Sequence, residues 1–171
     1  MKTLLTMIMM TTQLMANGQA TTNKKTFSRE TAVAIEIDAS TEIVWALLTT
    51  ASDYTRWNST ITSMEGDIAL NETVKLKSTL DPDRIFKLKV KKMNPGKLMI
   101  WSSGAAPFFM GLRTYTLSEN DEGSTTFTMT EKIGGLMFPM AAGSIPPFDA
   151  VFQQFAADLK KEAELISNQN Q

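Results

Sequence analysis

The segment Phe127-Thr128-Met129-Thr130-Glu131-Lys132-Ile133 alternates apolar and polar residues in the manner of a half-buried strand. Glu131 breaks the alternation, because it shares parity with Phe127, Met129 and Ile133 and so points to the apolar face. A carboxylate there is costly unless it meets a partner. The preceding strand, Met110–Leu117, offers one. With the intervening turn centred near Glu122, antiparallel pairing sets Leu117 opposite Phe127, Tyr115 opposite Met129 and Arg113 opposite Glu131. The apolar Leu117–Phe127 pair supports this register. An Arg113–Glu131 pair with Tyr115 beside it could fix a carboxylate, phenol or carbonyl group at the polar end of a pocket. Glu131 or Tyr115 could instead serve as acid or base, with Arg113 stabilising an oxyanion. A purely structural ion pair, or a bulge that turns Glu131 to solvent, would satisfy the same pattern.

The rest of the composition narrows the chemistry. The chain has 171 residues and contains no histidine and no cysteine. That excludes Ser-His-Asp and Cys-His triads, thiol redox chemistry, disulfides and zinc fingers. Formal net charge is −1, so no global basic field recruits nucleic acid. No glycine-rich nucleotide loop and no P-loop is present, and no cofactor or metal is expected. Asp81-Pro82-Asp83 and Asn120-Asp121-Glu122 lack EF-hand spacing and read as solvated turns.

These residues need a scaffold. Residues 1–20 carry a basic start, an apolar middle (Leu4 to Met10, thinning to Ala16) and the small-residue exit Asn17-Gly18-Gln19-Ala20. That is the layout of a signal peptide cut after Ala20, too short to span a membrane. Export to periplasm or medium is therefore expected. Residues 21–27 read as a flexible polar leader, and 28–171 as one domain.

Val33, Ile35 and Ile37 mark a first strand. Ser40 then offers a cap to a short helix from Thr41 to about Thr49, and a second helical piece spans Ala51 to Trp57. The period then changes to two. Strands are expected at Thr73–Thr79, Arg84–Val90, Leu98–Ser102, Met110–Leu117 and Thr125–Ile133, in a run of antiparallel strands. Lysines at 75, 77, 87, 89 and 91 read as the solvated face of the sheet. Phe148, Val151, Phe152, Phe155, Ala156, Leu159, Ala163 and Ile166 fall on one stripe of a long terminal helix, with Pro146 and Pro147 in its first turn. The fold class is α+β: a curved antiparallel sheet whose inner face is covered by the last helix.

Ile37-Asp38-Ala39-Ser40-Thr41-Glu42-Ile43-Val44-Trp45, with Asp53-Tyr54-Thr55-Arg56-Trp57-Asn58, resembles the opening signature of the START-like (SRPBCC) superfamily. That superfamily includes polyketide cyclases/dehydrases, lipid-transport proteins and relatives of the birch-pollen allergen. Met93-Asn94-Pro95-Gly96-Lys97-Leu98, Gly123-Ser124-Thr125-Thr126-Phe127 and the terminal amphipathic helix extend the resemblance from Ser28 to Ile166. It implies a helix-grip fold, with seven antiparallel strands wrapped around the long helix and a hydrophobic cavity between them.

On that resemblance Tyr54, Trp57, Trp101, Arg113, Tyr115, Met129, Glu131, Phe138 and Phe152 are the candidates to line a ligand cavity, whereas Trp45 reads as core. Trp101 could face either way. Two apolar loops, Ala105–Met110 and Leu136–Gly143, could form a pocket mouth or a transient membrane contact, or tuck under the helix as core. The function expected is an exported protein binding a small hydrophobic or lipid-like molecule. The alternative is a cofactor-free cyclase, dehydratase or isomerase acting on a polyketide-like or aromatic substrate. A protein-contact role like that of chaperone-activating relatives conflicts with export, since such partners work in the cytosol.

Overall fold

The computed structural model describes residues 18–120 and 123–170. Most of the expected signal peptide, and Asp121 and Glu122 of the expected turn, lie outside them. In chain order the elements are β1 (Thr21–Lys25), β2 (Ser28–Ile37), α1 (Thr41–Thr49), a 3-10 turn (Ala51–Asp53), α2 (Tyr54–Trp57), β3 (Ile61–Glu65), β4 (Thr73–Ser78), β5 (Asp81–Asn94), β6 (Leu98–Ala105), β7 (Phe109–Glu119), β8 (Thr125–Gly134), α3 (Phe138–Ala141) and α4 (Asp149–Gln169). The eight strands, one more than the seven the resemblance implies because β1 adds to the edge of β2, form one antiparallel sheet in the order β1-β2-β8-β7-β6-β5-β4-β3. Ser40 caps α1 and Glu42 lies in its first turn, where the helix dipole favours an anion. The sheet curls around α4, whose Phe152, Phe155, Ala156, Leu159 and Ala163 are buried against it. This is the helix-grip architecture. Leu88 and Val90 face inward from β5 while Lys87, Lys89 and Lys91 face solvent, as a sheet covered on one side requires.

Specific bonds hold α4 across the sheet. Near its start, the Arg29 guanidinium donates to the carbonyls of Ile145 (3.2 Å) and Pro146 (2.7 Å) and stacks on Phe148. Towards its end, Lys160 donates to the carbonyl of Glu36 (2.7 Å), and Glu164 accepts from the amide of Asp38 (3.0 Å). Burial pulls the Arg29 guanidinium below its ordinary pKa, with Asp149 opposing.

Several expected boundaries move. Thr21–Lys25, expected as part of a loose leader, pairs in register with β2, and Thr22 bonds both Thr31 and Asp149, tying this edge strand to the start of α4. Short polar strands lack an alternating apolar face, so tertiary partners alone reveal them. β3 was hidden for the same reason. Asp81-Pro82-Asp83 opens β5 and is not a turn; proline is tolerated at a strand's start because no ladder bond is lost there. Pro146 and Pro147 precede the helix cap, Phe148, instead of occupying the first turn. Phe138–Ala141, expected within a loop, is a short helix.

Candidate functional site

The register deduced for β7 and β8 is the one observed: Leu117 opposes Phe127, Tyr115 opposes Met129, and Arg113 opposes Glu131. Glu131 does not turn out to solvent. Arg113 Nε donates to Glu131 Oε2 at 2.5 Å, with side-chain exposures of 16% and 8%. Trp101 lies across from Arg113 on β6, and Thr31 across from Glu131 on β2, so the ion pair sits mid-row on the inner face. The Phe152 ring of α4 packs over the guanidinium, 5.3 Å from its carbon. Burial acts to lower the Arg113 pKa, but the adjoining Glu131 carboxylate outweighs it, with Tyr115 adding, and leaves it above the ordinary value.

This pair forms the floor of a cavity of about 110 Å³ between the sheet and the start of α4. Its walls are largely apolar, with Leu76, Phe86, Leu88, Phe109, Met129, Ile133, Phe148 and Phe152 among them. Thr60, Ser78, Ser103 and Ser144 add hydroxyls, and Arg84 stacks on Phe86 near the mouth. Gly111 lets the floor close up: a Cβ there would lie 2.7 Å from Ser103 Oγ and 3.0 Å from Glu131 Oε1. Ser103 and Gly111 were legible in principle, since each shares inner-face parity with a residue already placed, Trp101 and Arg113 respectively. The apolar walls from β4, β5 and the Ile145–Val151 segment were not, because no short-range pattern distinguishes a cavity wall from a packed core.

The nine residues expected to line a cavity therefore divide. Arg113, Glu131, Met129 and Phe152 line it. Tyr54, Trp57, Trp101 and Tyr115 are buried, but they fill the barrel behind it as an aromatic plug instead of lining it. Phe155 is the centre of that plug, with ring centroids 5.6 Å from Trp57, 6.3 Å from Tyr54 and 6.2 Å from both Tyr115 and Phe127. Trp101 faces inward and meets Tyr115 edge-on at 5.1 Å. Phe138 is buried in the core and does not line the cavity. The physical reason is volume: four large aromatic side chains and Phe155 occupy the space a larger cavity would need. Trp45 is half-buried against the core.

The two apolar loops meet at the cavity end of the sheet. Gly135, Leu136 and Met137 donate their amides to the carbonyls of Phe27, Pro107 and Phe108, respectively. Gly135 is required there, because it holds φ of +136° and a Cβ would come within 2.3 Å of the Phe108 carbonyl oxygen. Phe109 and Phe138 tuck inward, whereas Phe108, Leu136, Met137 and Met140 stay exposed, Met140 at 82%. Thus the loops are partly core and partly an exposed apolar rim.

Acid–base chemistry at the phenols is disfavoured. Burial pushes Tyr54 well above the ordinary range, and it pushes Tyr115 up against the opposing pull of Arg113. Tyr54 donates to the carbonyl of Leu48 at 2.8 Å, a structural bond. Tyr115 Oη is buried beside the Arg113 guanidinium, its one polar neighbour among the described residues, without a well-aligned hydrogen bond to it. A phenol with a raised folded-state pKa stabilises the fold below its unfolded pKa, near 10.0, and that contribution is lost as pH climbs above it. These two are the only tyrosines in the chain. Phenolate absorbance is therefore expected to appear only together with alkaline unfolding. A reversible phenolate titration near pH 10 with the circular dichroism of the folded protein intact would refute their burial.

An antiparallel sheet gripping a long C-terminal helix, with a cavity beneath the helix, defines the helix-grip class of fold. The family described as polyketide cyclase/dehydrase and lipid transport matches residues 28–164, and this chain belongs to it. No curated protein sequence matches the chain. Solved structures extend the likeness. A START superfamily protein from Mycobacterium smegmatis is 15% identical, with a TM-score of 0.59 over 80% of this chain and 98% of that one. A norcoclaurine synthase point mutant from Thalictrum flavum, bound to a transition-state analogue, is 12% identical, with a TM-score of 0.63 over 87% of this chain and 100% of that one. At such identities these structures show the shared fold alone.

Proposed function

We propose that this is an exported binding protein that holds a small hydrophobic or lipid-like molecule beneath α4. The observation that carries the reading is a cavity with apolar walls and a single ion pair, Arg113–Glu131, at its floor. Burial of ligand surface at about 25 cal/mol per Å² would drive association, and the pair would orient the polar end. Catalysis is the weaker reading: Tyr115 lies outside the cavity, which leaves Glu131, already engaged by Arg113, as its one carboxylate. The volume suits a single ring or a short chain segment.

Native mass spectrometry of protein purified from its host, followed by titration with toluene, tests this. A one-to-one complex with an apolar molecule is expected. Protein that arrives empty and takes up no toluene would overturn the reading. Export is supported by the position of β1, which starts at Thr21, so removal of residues 1–20 leaves all eight strands whole. N-terminal sequencing of the same preparation is expected to begin at Thr21, and an intact Met1 would count against export. The exposed rim at Phe108, Leu136, Met137 and Met140 would let the ligand enter from a membrane. Vesicle cosedimentation is expected to weaken in Met140→Asp; cosedimentation that is absent from the start, or indifferent to this change, removes membrane contact from the proposal.

A further inference from the structure

The cavity floor carries more information than its apolar walls. One bond, Arg113 Nε to Glu131 Oε2, holds the ion pair together. The Arg113 guanidinium also lies beside the Tyr115 hydroxyl, and its remaining donor edge and Glu131 Oε1 make no further protein hydrogen bond among the described residues. The side chain of Arg113 borders the cavity, and Oε1 lies over the bare Cα of Gly111 beside Ser103 Oγ. The floor thus presents a row of cationic donors next to an anionic acceptor, with net charge zero. Arg84, the other charged residue at the cavity, is exposed at the mouth and stacks on Phe86.

We infer that this pocket selects an uncharged ligand group bearing a hydrogen-bond donor and acceptor side by side, as in a primary amide or a lactam, attached to a single ring. The inference rests on the ligand-binding reading above. A neutral amide can accept from Arg113 and donate to Glu131 at once, and hydrogen bonds to charged partners are stronger than neutral ones. An anion is drawn to Arg113 but repelled by Glu131, and it must still surrender its hydration on entering an apolar site. A cation meets the reverse arrangement with the same penalty. Solvent screening at the mouth limits what Arg84 adds for an anion.

The test is a matched series of benzamide, benzoate, benzylammonium and toluene, titrated by calorimetry at neutral pH. Benzamide is expected to bind about tenfold more tightly than either ion. Glu131→Gln removes the negative edge and is expected to bring benzoate level with benzamide or ahead of it. Gly111→Ala places a Cβ against Ser103 Oγ and Glu131 Oε1, and is expected to weaken benzamide more than toluene; it also serves if Glu131→Gln fails to fold. Toluene binding with benzoate or benzylammonium equal to or better than benzamide overturns the selectivity while leaving the apolar pocket standing. Binding of none of the four overturns the ligand-binding reading itself.

Discussion

Replacing Arg113 with methionine is expected to destabilise the protein by about 3–5 kcal/mol, because the Glu131 carboxylate is left buried opposite no cation. Both partners are mostly shielded, at 16% and 8% side-chain exposure, so water cannot fully rescue the orphaned charge. For a chain of this size the loss corresponds to a melting temperature lower by roughly 10 °C. The converse change, Glu131→Leu, is expected to cost a similar amount by stranding the guanidinium beneath Phe152. The double replacement Arg113→Met/Glu131→Leu should recover most of the loss, since two apolar side chains fill the space with no charge to desolvate. Urea unfolding of the four proteins in a double-mutant cycle measures the coupling. A single-variant cost below about 1 kcal/mol would mean the pair is effectively solvated, which places it at the surface of an open cavity.

Truncating Phe155 to alanine carries the second large expectation, a loss of about 3–5 kcal/mol, the usual cost of deleting a buried aromatic ring. Phe155 is 3% exposed and contacts the rings of Tyr54, Trp57, Tyr115 and Phe127. It also borders the cavity, so it is the partition between that cavity and the aromatic plug. The same substitution is therefore expected to enlarge the cavity and admit a two-ring probe such as naphthalene that the parent protein excludes. Denaturant unfolding gives the first quantity and calorimetric titration the second. A variant that loses stability yet still excludes naphthalene would show that α4 and the plug collapse into the vacated space.

The candidate site was partly legible because strand parity is a local rule with long reach. Glu131 on an apolar face, together with the Leu117–Phe127 pair, placed Arg113 opposite it from residues within one hairpin, and the observed pairing follows. The same rule points Trp101 inward only once β6 is registered on β7, since a lone short strand does not say which of its faces is covered. Tyr54, Trp57, Trp101 and Tyr115 illustrate the limit: each is buried, as its type suggests, but burial in a plug and burial in a cavity wall look identical along the chain. β1 shows the limit from the other side. Its residues are polar, and it is a strand because β2 offers an unpaired edge and Asp149 accepts from Thr22.

The class of fold, the α4 stripe, the β7–β8 register and the exclusion of histidine- and cysteine-based chemistry could all be read along the chain. All of these depend on residue type, periodicity or pairing between neighbours in the chain. Where space remains is a property of the packed fold. Whether an apolar position meets a neighbour or a void depends on how the volumes of side chains from β3 to β8 and α4 sum at one point. Phe155 fills one side of that sum and Gly111 relieves the other, and the cavity is what is left between them.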